Sequence, residues 1–110
     1  MRLGTLAEGA GIALGSGGEL QVTGFAIDHR KVAPGTVFGA FQGATVNGED
    51  FISAAIAAGA VAVVARPEAK VSGAIHIADN NPRLVFARLA AQFFAPMPET
   101  VVAVTGSTPS

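Results

Sequence analysis

Apolar positions in this chain form short runs rich in β-branched residues and longer stretches with helical spacing. Four apolar runs predict strands, at residues 21–27, 37–41, 61–65 and 74–78. Three stretches predict helices, over residues 3–14, 51–58 and about 82–94. The strand at 37–41 is apolar on both faces, which predicts a central position in its sheet.

The order of these elements predicts the fold class. Strand, helix and strand over residues 37–65 have the spacing of a βαβ unit, which crosses over right-handed into a parallel pair. We therefore expect an α/β fold: a small three-layer-like domain with a mixed, largely parallel sheet and helices packed on it.

Polar and glycine residues mark the expected helix ends. Thr5 is a candidate N-cap for the first helix, with a capping-box spacing to a glutamate three residues on. Asp50 is expected to cap the second helix and Gly59 to end it. Asn80 or Asn81 is expected to cap the third helix.

A proline-rich segment follows the third helix and suggests a domain boundary. We expect residues 1–95 to form one domain and residues 96–99 to form a linker. Residues 100–110 then start a fresh strand and a glycine turn. This pattern predicts the first strand of a second domain that is cut off.

Composition excludes several function classes. A net charge of −1 with scattered basic residues argues against nucleic-acid binding. The absence of cysteine excludes disulfides and thiolate metal sites, and two histidines are too few for a histidine-built metal site. No apolar run reaches the ~18 residues that a membrane span needs. We expect a cytoplasmic monomer that binds neither nucleic acid nor membrane.

No catalytic constellation stands out in the 110 residues. The end of the chain, V-A-V-T-G-S-T-P-S, begins like a phosphate-binding loop at Thr105, Gly106 and Ser107. Such a loop needs backbone N–H groups facing phosphate and then a lysine that reaches it. No lysine follows, and Pro109 removes one N–H donor. We expect no working ATP loop here.

Most polar residues that can face a ligand lie between Ile27 and Phe51. Asp28, His29 and Arg30 follow the first strand, at the strand end where α/β folds place ligands. The same residues also fit a solvated turn in which Asp28 pairs with Arg30. Spacing alone favours the solvated turn.

The Gly-rich segment at residues 42–48 allows two interpretations with equal weight. It fits a surface loop that turns at Asn47 and the glycine after it. It also fits a nucleotide-facing loop in which the Thr45 hydroxyl bonds a base edge and Val46 packs on the base. His76 is interpreted as an outward strand residue, and we assign it no role.

Several motifs resemble the N-terminal domain of the Mur ligase family. The runs are I-D-H-R-K-V-A-P-G-T-V-F-G-A-F-Q-G, then N-G-E-D-F, then A-A-I-A-A-G-A-V-A-V-V. The family pattern is D-S-R-x-V-x-P-G-x-L-F-x-A-x-x-G, D-G-x-x-F and A-x-x-x-G-A-x-A-V. The later D-N-N-P-R and P-E-T-V-V-A-V-T-G also match, and the last leads into the family's T-G-T-N-G-K-[ST] ATP loop. The resemblance covers nearly the whole chain.

The resemblance implies part of a three-domain, ATP-dependent ligase of peptidoglycan synthesis. The first domain holds the uridine nucleotide of a UDP-N-acetylmuramoyl-peptide, the second binds ATP and Mg²⁺, and the third helps to recognise the incoming amino acid. The substrate carboxylate is phosphorylated, and an amine attacks the acyl phosphate. The motifs are most similar to the member that adds diaminopimelate or lysine to UDP-N-acetylmuramoyl-L-alanyl-D-glutamate. This chain, as the first domain, is expected to hold no cofactor and to be inactive alone.

The resemblance also assigns residues. The positions that fall where the family contacts the uridine nucleotide are Ile27, His29, Ala44, Thr45 and Val46. Asp28 and Arg30 match the motif's Asp and Arg and are expected to hold the shape of the turn. His29 stands where the family usually has Ser; its ring can donate a hydrogen bond, but it can also crowd the pyrophosphate or sugar.

Two alternatives stay open at the level of sequence. One is the sister ligase that adds the D-alanyl-D-alanine dipeptide, whose ATP loop often begins T-G-S, as this chain does at Thr105, Gly106 and Ser107. The other is a truncated or decayed fragment that folds but binds nothing. The His29 departure and the T-P-S ending motivate that second alternative.

Overall fold

Four parallel strands form the middle layer of the part of the protein that the structure describes. The structure is a computed structural model that describes residues 1–14, 17–42 and 47–94. The strands are β1 (Gly24–Ala26), β2 (Thr36–Gly39), β3 (Ala62–Ala65) and β4 (Ile75–Ala78). They lie in the order β1-β2-β3-β4, and each neighbouring pair is parallel. The expected α/β class with a largely parallel sheet is confirmed.

Helices cover both faces of this sheet, which gives the three layers. The helices are α1 (Leu3–Ala10), α2 (Ile52–Ala57) and α3 (Pro82–Phe94). One core packs α1 and α3 against the sheet through Leu3, Leu6, Val37, Val64, Val85 and Leu89. The opposite core packs α2 against the sheet through Phe38, Ile52, Ala55 and Val63. Successive residues of β2 and β3 serve opposite cores because side chains alternate along a strand.

The central position predicted for the second strand is confirmed. β2 lies between β1 and β3, and all four of its residues are buried. A strand with helices on both faces has no solvent-exposed side, which explains why every residue of β2 except Thr36 is apolar. The βαβ unit predicted from spacing is also present, because β2 and β3 pair in parallel with α2 between them in the chain.

The predicted cap of the first helix is wrong. The helix begins at Leu3, so Thr5 lies inside its first turn. Arg2 occupies the N-cap, and no side chain among the described residues caps this end. The backbone N–H of Leu3 instead donates to the carbonyl of Leu20 at 2.8 Å. Tertiary pairing therefore sets the start, and the left-handed Gly11 (φ 75°) stops the helix before its predicted end.

The predicted cap of the second helix is also wrong, while its predicted end is confirmed. Asp50 lies inside a 3₁₀ turn, Gly48–Phe51, that precedes α2. Asn47 caps that turn, since its Oδ1 accepts from the backbone N–H of Glu49 at 3.0 Å. Gly59 follows the last helical residues with φ 116°, a conformation that favours glycine.

The third helix has the predicted ends. Asn81 is the cap, because its Oδ1 accepts from the Leu84 backbone N–H at 3.4 Å. Val85 and Leu89 are buried, and Arg88 is exposed on the outer side. The apolar residues at helical spacing therefore form the buried face of α3.

The predicted linker and second-domain strand, at residues 95–110, lie outside the described residues. The division into domain, linker and further strand stays a prediction. Within the described ranges, each helix falls short of the length and apolar character of a membrane span.

Candidate functional site

The carboxyl ends of the four strands meet at one edge of the sheet. Asp28 follows β1, Phe41 follows β2, Arg66 follows β3 and Asp79 follows β4. Residues distant in sequence become neighbours here because all the strands run in the same direction. In open α/β sheets this edge is where ligands bind.

A cleft of about 480 Å³ opens at the β1 end of this edge. Its lining residues are Ile27, Asp28, His29, Arg30, Gly48 and Phe51. The volume lies in the range of small-molecule sites, about 300–1,000 Å³. The structure thus brings the polar turn after β1 and the 3₁₀ turn Gly48–Phe51 together around one opening.

Two of these lining residues, Gly48 and Phe51, were missed as site residues by the sequence analysis. They belong to the run N-G-E-D-F, which matches the family's D-G-x-x-F. The aromatic residue at the end of that motif was the feature of the sequence that could have indicated these site residues. Gly48 also lies close to the backbone of Phe41, since a Cβ added at Gly48 would lie 2.8 Å from the Phe41 nitrogen.

Asp28 organises the turn after β1. Its Oδ1 accepts from the Arg30 backbone N–H at 3.0 Å and from Arg30 Nε at 3.1 Å. Its Oδ2 accepts from Arg30 Nη2 at 2.9 Å. The predicted local pair is confirmed, in a two-pronged geometry that carboxylates and guanidinium groups favour. The pair also lines the cleft, so the two interpretations of this segment are compatible.

The Arg30 side-chain hydrogen bond, aided by the backbone one, lowers the pKa of Asp28 from 3.8 to about 2. A lowered pKa in the folded state means that ionised Asp28 favours folding. This contribution is complete above about pH 3.8 and is lost as the pH falls through about 2.

Arg30→Gln should therefore raise the pKa of Asp28 back towards 3.8. The measurement is a ¹³C NMR titration of the Asp28 side-chain carboxyl. Lys31→Gln is the matched control, because it removes the same charge from the next residue in the turn. An Asp28 pKa that moves equally in the two variants would show that net charge, rather than the hydrogen bonds, lowers it.

His29 lies flat on Phe51. The two ring centroids are 4.3 Å apart, and the ring planes differ by 3°. His29 Nδ1 lies 3.9 Å from Asp28 Oδ1, and the side chain is 30% exposed. The larger ring at this position is therefore stacked on the Phe51 side chain, which also lines the cleft.

An ion pair connects the 3₁₀ turn Gly48–Phe51 to the residue that follows β3. Arg66 Nε donates to Glu49 Oε2 at 2.6 Å, and this bond raises the pKa of Arg66. The Glu49 side chain is only 12% exposed. His76 lies on β4 with its Nε2 3.2 Å from the Arg66 carbonyl. His76 points away from the core that holds Ile75 and Ile77, as the strand alternation predicted.

A third contact lies where β2 ends. Arg83 Nη2 donates to the Gln42 carbonyl at 3.1 Å, and its guanidinium carbon lies 4.9 Å from the Phe41 ring centroid. Gln42 in turn pairs with Asn47 in an antiparallel bridge. These contacts fix both residues that flank positions 43–46.

The remaining residues predicted to contact the nucleotide are Ala44, Thr45 and Val46. They lie outside the described residues, and their role stays a prediction. The same is true of the predicted ATP-loop residues Thr105, Gly106 and Ser107. Within the described ranges, no cluster of three or more His, Cys, Asp or Glu side chains has a metal-binding arrangement.

Comparison with known proteins identifies the family. The profile of the Mur ligase family, catalytic domain, matches residues 21–99. The chain is 59% identical over 106 residues to a UDP-N-acetylmuramoyl-L-alanyl-D-glutamate–2,6-diaminopimelate ligase of Zymomonas mobilis, covering 96% of this chain and 22% of that relative. It is 46% identical over 89 residues to the Bradyrhizobium diazoefficiens protein of the same name, covering 81% and 18%.

A Brucella melitensis protein of that name is 38% identical over 101 residues, with 88% of this chain and 20% of the relative covered. The chain therefore spans about a fifth of the length of these curated relatives. The matched motifs agree with the family profile, which covers most of the chain, and with the high identity to these relatives. This chain therefore belongs to the Mur ligase family.

Proposed function

We propose that this chain binds the uridine nucleotide of UDP-N-acetylmuramoyl-L-alanyl-D-glutamate for a ligase that adds diaminopimelate. The observation that carries the proposal is the cleft between the Asp28 turn and Phe51, at the strand ends where α/β folds bind ligands. The shared name of the three relatives supports both the peptide and the amino acid. It favours diaminopimelate over lysine and over the dipeptide-adding alternative.

The chemistry of the cleft suits the uridine part of the ligand. Ile27 is 62% exposed at its mouth, and the stacked rings of His29 and Phe51 form an aromatic wall. Planar bases pack well on such surfaces, with polar groups at the edges fixing their orientation. The Arg30 charge is already balanced by Asp28, so this turn offers little net attraction for pyrophosphate.

We assign the ATP and Mg²⁺ chemistry of the ligase to residues beyond this cleft. These groups would supply the phosphoryl transfer that activates the substrate carboxylate. Mg²⁺ is typically held by carboxylates together with substrate phosphates, and the described residues contain no such acidic cluster. The contribution proposed for this chain is to hold and orient the nucleotide end of the substrate. Its cytoplasmic location and monomeric state stay predictions.

The test is an amide NMR titration of the 110-residue chain with UDP-N-acetylmuramoyl-L-alanyl-D-glutamate. We expect shifts at Ile27, His29, Gly48 and Phe51, and in the segment Ala44–Val46. ATP with Mg²⁺ is the parallel control, and it should leave these amides unmoved. The absence of shifts at millimolar substrate would contradict the proposal and support a fragment that folds but binds nothing.

Ile27→Ala should weaken nucleotide binding about tenfold. The variant removes apolar contact area from the mouth of the cleft, a loss of roughly 1.5 kcal/mol. Isothermal titration with UDP measures the change in Kd. Leu84→Ala is the control, because Leu84 is also a partly exposed apolar residue, at 46%, but it lies on α3 outside the cleft lining. Equal weakening in both variants would place binding elsewhere.

A further inference from the structure

The Glu49–Arg66 pair joins the 3₁₀ turn Gly48–Phe51 to the residue that follows β3. Glu49 follows β2 and Arg66 directly follows β3, and 17 positions separate them in the chain. Their hydrogen bond of 2.6 Å is short even for a charge-assisted pair. Glu49 is largely buried, so its carboxylate depends on this partner more than an exposed group would.

The pair is connected to the cleft through the backbone of the 3₁₀ turn. Glu49 sits in the same single 3₁₀ turn as Gly48 and Phe51, two of the residues that line the opening. The Gly48 backbone N–H donates to the Phe41 carbonyl at 2.7 Å, which anchors one end of the turn to the segment that follows β2. Arg66 anchors the middle of the turn to β3. A shift of this turn would move the Phe51 ring away from His29.

A further contact makes Arg66 a suitable anchor. The carbonyl of Arg66 lies 3.2 Å from His76 Nε2 on β4. The backbone of Arg66 is thus tied to β4 while its side chain holds Glu49. A chain of polar contacts runs from β4 to the cleft wall.

We propose that Arg66 is a positioning residue of the nucleotide cleft: through Glu49 it fixes the turn Gly48–Phe51 so that Phe51 is stacked on His29 before any ligand arrives. This inference deepens the proposed function and rests on it for its effect on binding. Its structural part, the link between the ion pair and the stack, is independent of any ligand. An exposed ion pair with no such role would contribute little to stability and would leave the cleft unchanged.

The structural part is tested on the ligand-free chain by NMR of the His29 ring protons. The stacked Phe51 ring should shift these protons upfield. Arg66→Gln should move the shifts towards those of an unstacked histidine, and Glu49→Gln should do the same. Arg88→Gln is the matched control, since Arg88 is exposed on α3 and forms no ion pair with a described residue. Unchanged His29 shifts in Arg66→Gln would overturn the inference.

The double variant Glu49→Gln/Arg66→Gln separates a specific pair from two independent effects. Partners in one contact are non-additive, so the double variant should lose no more of the upfield shift than either single variant does. Arg66→Lys keeps the charge and a hydrogen-bond donor group but loses the planar guanidinium, so it should retain part of the shift. Shift losses that add up in the double variant would overturn the pairing. If one single variant fails to fold, the other reports the same quantity.

The inference also predicts how much the Kd for UDP should change. When only a fraction of molecules has the binding-competent conformation, the apparent Kd rises by the inverse of that fraction. If Arg66→Gln leaves about a fifth of the molecules stacked, the Kd for UDP should rise about fivefold. The stacked fraction from the His29 shifts must therefore predict the change in Kd measured by isothermal titration. Loss of the stack without a change in Kd would overturn the positioning role.

The two proposals fail in distinguishable ways. If the unmodified chain binds no UDP, the proposed function fails, while the ring-proton shifts still decide whether Arg66 holds the turn. If the chain binds UDP and the shifts do not respond to Arg66→Gln, the function stands and the positioning inference is wrong.

Discussion

Gly59→Ala should lower the free energy of unfolding by about 4 kcal/mol. Gly59 has φ 116°, where a residue with a Cβ is strained by about 1–3 kcal/mol. The added Cβ would also lie 2.6 Å from Pro34 Cα and 2.8 Å from Pro34 N. These are backbone atoms, so the relief of the clash requires a shift of the chain, which costs about another 1–3 kcal/mol.

A backbone hydrogen bond at Gly59 makes it difficult for the chain to shift and relieve this clash. The Gly59 carbonyl accepts from the Gly35 backbone N–H at 3.0 Å, which binds the end of α2 to the turn before β2. Movement of this contact would disturb the start of a central strand. Since small domains have about 5–15 kcal/mol of stability in total, the variant should be near the limit of folding.

Gly11→Ala is the matched control for this prediction. Gly11 also follows a helix and is left-handed, with φ 75°, but no described atom lies within 4 Å of a Cβ built there. Its substitution should cost about 1 kcal/mol, from backbone conformation alone. Urea unfolding monitored by circular dichroism measures both losses. Similar losses in the two variants would show that the close approach to Pro34 has little energetic weight.

Leu89→Ala should destabilise the protein by about 2–5 kcal/mol. Leu89 is 0% exposed; it lies on α3 and packs in the core that α3 forms with α1 and the sheet. Its truncation removes buried apolar area and leaves a cavity that the surrounding side chains fill only in part. The core has little room to adapt, because protein interiors are packed as tightly as organic crystals.

Leu84→Ala on the same helix is the control for this second prediction. Leu84 is 46% exposed, so truncation there should cost less than about 1 kcal/mol. The two variants share the substitution and the helix, so changes in helix propensity and in the unfolded chain largely cancel. Thermal or urea unfolding compares them directly. A loss at Leu84 as large as that at Leu89 would mean that α3 has a different face in the core.

The elements of this fold were predictable because each has a local cause. The strands lie in short runs of β-branched and aromatic residues, and α3 carries apolar residues at helical spacing next to a capping asparagine, Asn81. The two wrong caps have a different cause. Thr5 and Asp50 satisfy the sequence rule for a cap, but tertiary pairing of Leu3 starts one helix earlier and a 3₁₀ turn delays the other.

The site was predictable only where its contacts are local. Asp28 and Arg30 are two positions apart, so their pairing follows from the sequence of one turn. The contact of His29 with Phe51 and that of Glu49 with Arg66 join segments that meet only after the sheet has formed. Composition and spacing carry no information on such pairs. The motif likeness pointed to the right stretch of chain without showing how its two turns face one another.

The parallel sheet has one consequence for how this chain reaches its fold. The paired residues Gly24 and Thr36 lie 12 positions apart, and Val37 and Ala62 lie 25 apart. No strand pair of the described sheet is closed by a hairpin, so no tight turn can start the pairing and extend it residue by residue. Each ladder requires the closure of a loop before its contacts contribute, which slows folding relative to a fold rich in local contacts. We expect helical segments and apolar side chains to make contacts early, and the edge that carries the cleft to form late.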